Sequence, residues 1–267
     1  MGERTAGAAV RADALSLRGP RGPVYRDIGF EAAPGALVAV AGPAGSGRTS
    51  LLLTLAGRMR PSSGHAEIDG LALPGRAAAV RRIAALGPVP GVNDPDPVLD
   101  VGAHLRERIH LHGRSFARPS RRATADRTTR ALAAAGLPAD RLPQGLRTPA
   151  GELDALDRLR LGLALALLGE PRLICTDDVD DRLHGADRDA AWHLLRAVAD
   201  TGTTVVVATT DTAHAAERAD LTVHTAPTAA PERPAATATA TATAGDPAGD
   251  RSDEPAASDE ETTDAHA

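Results

Sequence analysis

Short apolar runs alternate with longer segments of helical periodicity between residues 7 and 225. Four runs are apolar on both faces of an extended chain: 36–41, 83–86, 172–176 and 203–208. Strands with two apolar faces are typical of a parallel sheet that helices cover on both sides. Apolar residues recur at helical spacing over 50–55, 154–168, 187–199 and a mostly helical insert at about 94–142. The pattern predicts an α/β fold with a mostly parallel sheet.

The C-terminal segment 226–267 has a different composition. It follows Val223, the last large apolar residue, and it alternates Ala and Thr between residues 236 and 244. Nine acidic and two basic side chains lie in this segment. Such a sequence buries too little apolar surface to offset the entropy of ordering. We expect a disordered, acidic, Ala/Thr/Pro-rich tail that aids solubility, and whose removal after about residue 224 leaves the melting temperature unchanged.

The composition of the whole chain excludes several classes of protein. The hydrophobic fraction is 42% and the formal net charge is −5, to which the tail contributes −7 and the rest of the chain +2. The nearly neutral remainder argues against a nucleic-acid partner. No apolar run approaches the ~20 residues of a membrane-spanning helix, and the N-terminus does not resemble a secretory signal. We expect a soluble cytoplasmic protein whose only cysteine, Cys175, is a buried small apolar residue rather than a nucleophile.

A phosphate-binding motif follows the first predicted strand. Residues 42–49 read G-x-x-x-x-G-R-T and lead directly into a Leu-rich helical pattern. Glycines allow consecutive backbone amides to converge on a phosphate, and the helix N-terminus adds its positive dipole. The motif predicts ATP and Mg²⁺ as cofactors, with Thr49 offering its hydroxyl to the metal. A glycine-rich turn that binds nothing is the ordinary alternative. The candidate nucleotide-binding residues are Gly42, Pro43, Ala44, Gly45, Ser46, Gly47, Arg48, Thr49 and Ser50.

Arg48 departs from this motif, which normally has Lys at that position. The whole chain contains 30 basic residues, and every one of them is Arg. A guanidinium keeps the positive charge and binds phosphate well, but it is longer and wider than an ammonium group. We therefore expect nucleotide binding to survive and hydrolysis to be inefficient.

The order of further motifs resembles the nucleotide-binding subunit of the ATP-binding cassette (ABC) transporter family. The resemblance covers residues 10–224 and rests on segments 27–30 with 34–35, 60–64, 68–70, 164–171 and 202–209. It implies a P-loop NTPase fold of ABC type, with a helical subdomain and a small N-terminal β region. It also implies that Asp177 is the Walker B aspartate that holds Mg²⁺ with Thr49. Asp178 takes the place of the catalytic general base.

Several positions depart from the family pattern. The family's signature sequence aligns with residues 153–157, where Asp154 and Asp157 place carboxylates in a segment that clamps phosphate in the family. Asp178 is one methylene shorter than the family's Glu. The other departures are Thr210 at the switch histidine, the lack of a Gln near 87–89, His184 at the D-loop aspartate, no aromatic near Gly19, and Tyr25 at an apolar position. Because phosphoryl transfer depends on such positioning groups, the resemblance implies a degenerate cassette with weak hydrolysis.

Three other features have simpler interpretations. His104, His110 and His112 lie near Asp94, Asp96 and Asp100, but their spacing matches no metal-ligand pattern, so we interpret them as surface histidines. Residues 177–181 lack the Gly and the terminal Glu of a calcium loop. Trp192 has helical spacing with Leu195, which predicts core packing.

Two functions from different classes remain. The leading hypothesis is an ATP-binding subunit of an ABC transporter, located at the inner face of the cell membrane and docked on a separate permease. Such a subunit works as a homodimer or as a heterodimer with another ATP-binding subunit. The alternative is a pseudo-ATPase that acts as a scaffold or regulatory protein. An ABC ATPase acting on DNA or ribosomes is disfavoured by the single cassette and the modest charge. The sequence does not identify a transported substrate.

Overall fold

The computed structural model describes residues 7–112, 120–179 and 183–226. The predicted tail from residue 227 onward, together with Asp180 and Asp181, lies outside the described residues. The described strands are β1 (Val10–Gly19), β2 (Gly22–Ala32), β3 (Leu37–Ala41), β4 (Ser63–Ile68), β5 (Leu71–Leu73), β6 (Ala84–Leu86), β7 (Leu173–Thr176), β8 (Thr204–Thr209) and β9 (Leu221–His224). The described helices are α1 (Arg48–Leu55), α2 (Ala77–Ile83), α3 (Val101–His112), α4 (Arg121–Ala134), α5 (Ala155–Leu167), α6 (Ala186–Asp200) and α7 (Thr212–Arg218).

A five-stranded parallel sheet has the order β6-β7-β8-β3-β9. Every residue of β3, β7 and β8 is buried, as expected for strands covered on both faces. All four apolar runs contain strands of this sheet. The pattern predicts strand throughout 83–86, but Ile83 ends α2 and the strand begins at Ala84. The edge strand β9 is not predicted by the pattern, because only Val223 of its four residues is buried.

A second sheet is antiparallel, with the order β2-β1-β4-β5. It is the small N-terminal β region that the family resemblance implies. Its buried residues share a core with α1, and this core includes Leu15, Tyr25 and Leu52. The Tyr25 hydroxyl donates a 2.8 Å hydrogen bond to Thr54 Oγ1 of α1, and burial raises the pKa of this phenol. Tyr25 therefore joins the antiparallel sheet to the first helix from inside the core.

The helices α3 to α6 enclose a second core. Leu161 and Leu163 of α5, Leu132 of α4 and Trp192 of α6 are buried together in it. Trp192 is thus a packing residue, as its spacing predicts. The segment 94–142 contains α3 and α4, and three short 3₁₀ turns follow before α5 at Ala139–Arg141, Gly145–Arg147 and Ala150–Glu152.

His104 corrects the prediction of surface histidines. This side chain is buried on α3, and its Nε2 lies 3.0 Å from the carbonyl oxygen of Asp96. His110 is exposed as predicted, while the side chain of His112 lies outside the described part. Within the described ranges, no group of three His, Cys, Asp or Glu side chains is arranged to hold a metal ion.

Candidate functional site

The loop 42–47 joins the parallel strand β3 to α1, and two of its glycines lie against other parts of the chain. A Cβ on Gly47 would lie 2.3 Å from the carbonyl oxygen of Val24 in β2, and the residue has φ +85°. A Cβ on Gly42 would lie 2.3 Å from Thr225 Oγ1. Only glycine fits without displacement at these positions. Pro43, Ala44 and Gly45 are exposed on the outer side of the loop.

Thr225, near the C-terminal end of the described residues, contacts the loop 42–47. Its Oγ1 lies 2.7 Å from the Oγ of Ser46, and both residues are buried. Thr225 follows the edge strand β9, in which Val223 pairs with Val40 of β3. The sequence gives no sign of this contact, because 179 positions separate the partners and no local motif marks Thr225. A removable tail therefore starts no earlier than residue 226.

The N-terminus of α1 is open. Its N-cap residue is Gly47, so no side chain caps the amides of the first turn. Uncapped amides together with the helix dipole favour an anion at this position. Thr49 and Ser50 lie half-buried in the first turn, and the Ser50 carbonyl accepts a 2.8 Å hydrogen bond from Thr54.

Thr49 and Asp177 lie side by side, although they are 128 positions apart. The Thr49 hydroxyl donates a hydrogen bond to Asp177 Oδ2, and Asp177 Oδ1 accepts one from the Asp178 amide at 2.9 Å. Asp177 is almost fully buried at the carboxyl end of β7. A hydroxyl and a carboxylate are hard oxygen ligands, which fits Mg²⁺ completed by phosphate and water oxygens.

Arg48 forms an ion pair with Asp178. Its Nη2 lies 3.2 Å from Asp178 Oδ1, and the two side chains are 8% and 34% exposed. Arg48 Nη1 is buried and has no hydrogen-bond partner in the part of the chain that the structure describes. Asp178 has φ +46°, a conformation that Asp adopts more easily than most residues. The proposed general base thus lies against the arginine that replaces the motif's lysine.

The segment 87–89, where the family has a glutamine, is held by Asn93. Asn93 Oδ1 accepts from the Val89 amide and Nδ2 donates to the Gly87 carbonyl, each at 2.8 Å. The Pro88 carbonyl accepts a 2.8 Å hydrogen bond from the Asp177 amide. Asn93 therefore supports the strand end that carries Asp177. Asn93 is not among the residues predicted from the sequence, although an Asn in a Pro- and Gly-rich turn is the available signal.

The two carboxylates of the segment that aligns with the signature sequence form hydrogen bonds and ion pairs with other groups of this chain. Asp154 is the N-cap of α5, and its Oδ1 accepts a 2.7 Å hydrogen bond from the Asp157 amide. Asp157 forms ion pairs with Arg160 at 2.6 Å and with Arg141 at 3.4 Å. The N-terminus of α5 is thus closed by a negative charge of its own.

Two other departures lie beyond β8 and before α6. Thr210 is exposed after the end of β8, and His184 is exposed ahead of α6. Asp211 caps α7: its Oδ1 accepts from the His214 amide at 3.0 Å and its Oδ2 accepts from Arg188 at 2.7 Å. The amide hydrogen bond and the nearby arginine hold the pKa of Asp211 below its usual range.

Burial in β7 raises the pKa of the Cys175 thiol to about 12, so this residue is a packing residue rather than a nucleophile.

The chain is similar in sequence to ATP-binding proteins of transporters. The family model described as ABC transporter matches residues 25–180. A putative ABC transporter ATP-binding protein of Streptomyces avermitilis is 32% identical over 207 residues, covering 78% of this chain and 34% of that protein. The Nod factor export ATP-binding protein I of Paraburkholderia xenovorans is 29% identical over 217 residues, covering 81% and 66%. The chain thus spans from about a third to two thirds of these relatives.

Solved structures share the fold. A dimeric post-hydrolysis state of the ATP-binding cassette MJ0796, bound to ADP and Pi, superposes with a TM-score of 0.66 at 19% identity, covering 81% of this chain and 94% of that one. The cbiO1 subunit of Clostridium perfringens, part of the ABC transporter complex cbiONQ, gives a TM-score of 0.63 at 17% identity, covering 80% and 84%. In the described residues, no helix is long and apolar enough to cross a membrane. Its sequence and its fold together make this chain a member of the ABC transporter family, in the group of ATP-binding cassettes.

Proposed function

We propose that residues 7–225 form an ATP-binding domain that binds ATP with Mg²⁺ and acts as the ATP-binding subunit of an ABC transporter. The observation that carries this proposal is the uncapped N-terminus of α1 beside the buried Nη1 of Arg48, which has no partner among the described residues. An unpaired buried guanidinium nitrogen is costly, and an anion at the helix N-terminus would satisfy it. The residues of the loop from Gly42 to Ser50 would bind the phosphates.

Thr49 and Asp177 would hold the metal ion. Their hydroxyl and carboxylate are already in contact, so the metal would replace a hydrogen bond between two groups that the fold has positioned. When bound, Mg²⁺ would neutralise phosphate charge. Asn93 would support this arrangement through the Gly87–Val89 segment, because Pro88 of that segment accepts from the Asp177 amide.

Hydrolysis is expected to be weak. Asp178 is the candidate base, but its carboxylate forms an ion pair with Arg48, and it is one methylene shorter than Glu. Thr210 has no ring nitrogen to hold a phosphate or a water. The signature helix α5 carries Asp154 at its N-cap, which would repel phosphate. Several positioning groups are altered together, and such groups act as a unit.

A groove beside α3 is the proposed docking surface for a membrane permease. It has a volume of about 380 Å³ and is lined by residues of 93–99, α3 and α5. Two of its lining residues are exposed large apolar side chains, Leu99 at 39% and Leu111 at 62%. Exposed apolar patches of this kind mark protein interaction sites. The subunit would then lie at the cytoplasmic face of the membrane, as a peripheral protein.

The proposed dimer is more consistent with an unlike partner. Two copies of this chain would each present an N-terminus of α5 that Asp154 already closes. A partner with a complete signature sequence would supply the missing phosphate contact to the open α1 site. A homodimer remains the alternative arrangement.

Calorimetric titration of the full chain with Mg-ATP tests the proposal. We expect a dissociation constant in the micromolar to millimolar range, or roughly −4 to −8 kcal/mol. The absence of both heat and thermal stabilisation at millimolar ATP would contradict it and favour the pseudo-ATPase scaffold. The capped α5 and the Arg48–Asp178 pair are the observations that favour this second function.

Steady-state phosphate release tests the expected weakness of hydrolysis. Wild type and the variants Arg48→Lys, Asp178→Glu and Thr210→His are compared singly and together. Each single change should recover little, because the remaining altered groups still fail to position water and phosphate. A wild-type rate within the ~1–100 s⁻¹ typical of competent phosphoryl-transfer enzymes would show that the substituted residues are functional replacements.

A further inference from the structure

The ion pair between Arg48 and Asp178 uses only one of the two terminal guanidinium nitrogens of Arg48. Nη2 lies 3.2 Å from the Asp178 carboxylate, whereas Nη1 is buried and has no partner within the described ranges. A guanidinium binds oxyanions through two nitrogens when both are available. Here one nitrogen remains for a phosphate, and the other is held by a carboxylate.

The position of this pair bears on which phosphate the site accepts. In a P-loop, the basic residue at position 48 reaches the β- and γ-phosphates. Asp178 directly follows Asp177, the proposed metal ligand, and its carboxylate contacts that basic residue. A γ-phosphate at this end of the loop would meet a carboxylate of like charge, whereas a nucleotide that ends at the β-phosphate would need only Nη1, which is buried and has no hydrogen-bond partner among the described residues.

We propose that Asp178 determines the nucleotide specificity of this site, and that the site binds a nucleoside diphosphate in preference to a triphosphate. The inference rests on the proposed nucleotide binding at residues 42–50. Asp178 acts in two ways: its carboxylate forms an ion pair with Nη2 of Arg48, and it places a negative charge where the third phosphate would lie. A triphosphate would bind well only after the ion pair has opened.

The test compares Mg-ADP with the complex of Mg²⁺ and a non-hydrolysable ATP analogue, by calorimetry on the full chain. Wild type should bind the diphosphate more tightly. Asp178→Asn removes the charge and tolerates the φ of +46° at this position. This variant should gain affinity for the triphosphate analogue by about tenfold relative to the diphosphate, or ~1.4 kcal/mol.

Two further variants control for instability of the Asn variant and for the change in net charge. Asp178→Gly also tolerates the positive φ, so it repeats the test if the Asn variant is unstable in a thermal melt. Asp126→Asn changes the net charge equally at an exposed position of α4, and it should leave the ratio of the two affinities unchanged. Sedimentation shows whether each sample is monomeric. In a monomer, no partner chain contributes to the ratio of the two nucleotide affinities.

The outcomes separate the inference from the function on which it rests. If the nucleotides bind but Asp178→Asn and Asp178→Gly leave the ratio of affinities unchanged, the specificity role of Asp178 is wrong while the proposed function stands. If neither nucleotide binds to any variant, the proposed function is overturned and the inference with it. Tighter binding of the diphosphate by wild type, with a shift in the ratio for both Asp178 variants but not for Asp126→Asn, supports the inference. Tighter binding of the triphosphate analogue by wild type overturns it.

Discussion

Two helix N-termini of this domain differ in how their amides are satisfied. Gly47 precedes α1 and has no side chain, so the first turn of α1 is left uncapped. Asp154 precedes α5, and its carboxylate accepts the Asp157 amide at 2.7 Å. A helix with a glycine N-cap presents its dipole and amides to a ligand, whereas a helix with an aspartate N-cap has a resident anion. In the family pattern both segments contact phosphate; here the N-terminus proposed to bind phosphate is uncapped, and the N-terminus that aligns with the signature segment is capped.

The largest effect is expected from changing the open N-terminus itself. Gly47→Ala places a Cβ 2.3 Å from the Val24 carbonyl at a φ of +85°, so the loop must move. Nucleotide affinity, measured by calorimetry, should fall by more than tenfold (~1.4 kcal/mol). Gly70→Ala is the matched control outside the loop, since Gly70 has φ +76° but nothing within 4 Å of the position that a Cβ would take. Its left-handed strain of ~1–2 kcal/mol should lower the free energy of unfolding and leave nucleotide affinity close to that of wild type. Equal losses of affinity in both variants would show that the clash is unimportant.

The next largest effect concerns the support of the open terminus. Thr225→Val removes the hydroxyl 2.7 Å from Ser46 Oγ and leaves that buried atom without this partner. A buried polar group left unsatisfied costs about 1–3 kcal/mol, so chemical denaturation should show a decrease of this size. Thr225→Ser keeps the hydroxyl and should remain close to wild type. If both variants are equally stable, the contact with Ser46 contributes nothing to the loop.

The closed terminus gives a smaller change, and only in stability. Asp154→Ala removes the N-cap of α5 and should lower the free energy of unfolding by about 0.5–2 kcal/mol. In a domain of this size that corresponds to roughly 2–4 °C in melting temperature per kcal/mol. Asp154→Ser keeps an acceptor for the Asp157 amide and should retain most of the stability. Nucleotide affinity at the α1 site of the monomer should not change. A loss of affinity in Asp154→Ala would contradict the view that the two N-termini have separate roles.

The smallest effect is expected at a third helix N-terminus, that of α7, which Asp211 caps. The pKa of Asp211 is lowered by the hydrogen bond from the His214 amide and by Arg188, so its charged form stabilises the folded state. That contribution is present above the unfolded value near 3.8 and is lost as the pH falls through the lower folded-state pKa. Asp211→Asn should therefore be slightly less stable at pH 7, by about 0.2–1 kcal/mol, and equal to wild type in strong acid. Melting curves against pH test this, and a difference that grows on acidification would contradict the sign.

Local elements of the fold can be predicted because their signals are contiguous. The strand β3, the glycine-rich loop and α1 follow one another in the sequence, and each carries its own pattern of burial or spacing. The predicted boundaries differ by one or two residues, as for α1, which begins at Arg48 rather than at residue 50. The prediction for His104 is wrong, because the polarity of a side chain does not reveal whether a carbonyl such as that of Asp96 lies within reach of it.

One part of the site is visible in the sequence, but the family pattern alone gives it a different interpretation. Asp154 followed three positions later by Asp157, before an apolar helical pattern, is similar to a capping box. Compared with the family pattern, both carboxylates are substitutions that repel phosphate. The structure adds that they stabilise α5, through the cap and through the ion pair of Asp157 with Arg160.

The sequence by itself determined the parallel strands, the phosphate loop with its arginine, and membership of the ABC family, since these depend on residues close together along the chain. The family resemblance already implied that Thr49 and Asp177 lie together, whereas only the tertiary structure showed that Arg48 pairs with Asp178 and Ser46 with Thr225. The strand order β6-β7-β8-β3-β9 brings the carboxyl end of β7 near the start of α1, so Asp177 contacts Thr49 and Asp178 pairs with Arg48. It also brings Thr225 beside Ser46. The strength of an ion pair depends on the distance between its charges, and here the strand order together with the backbone conformation of Asp178 sets that distance.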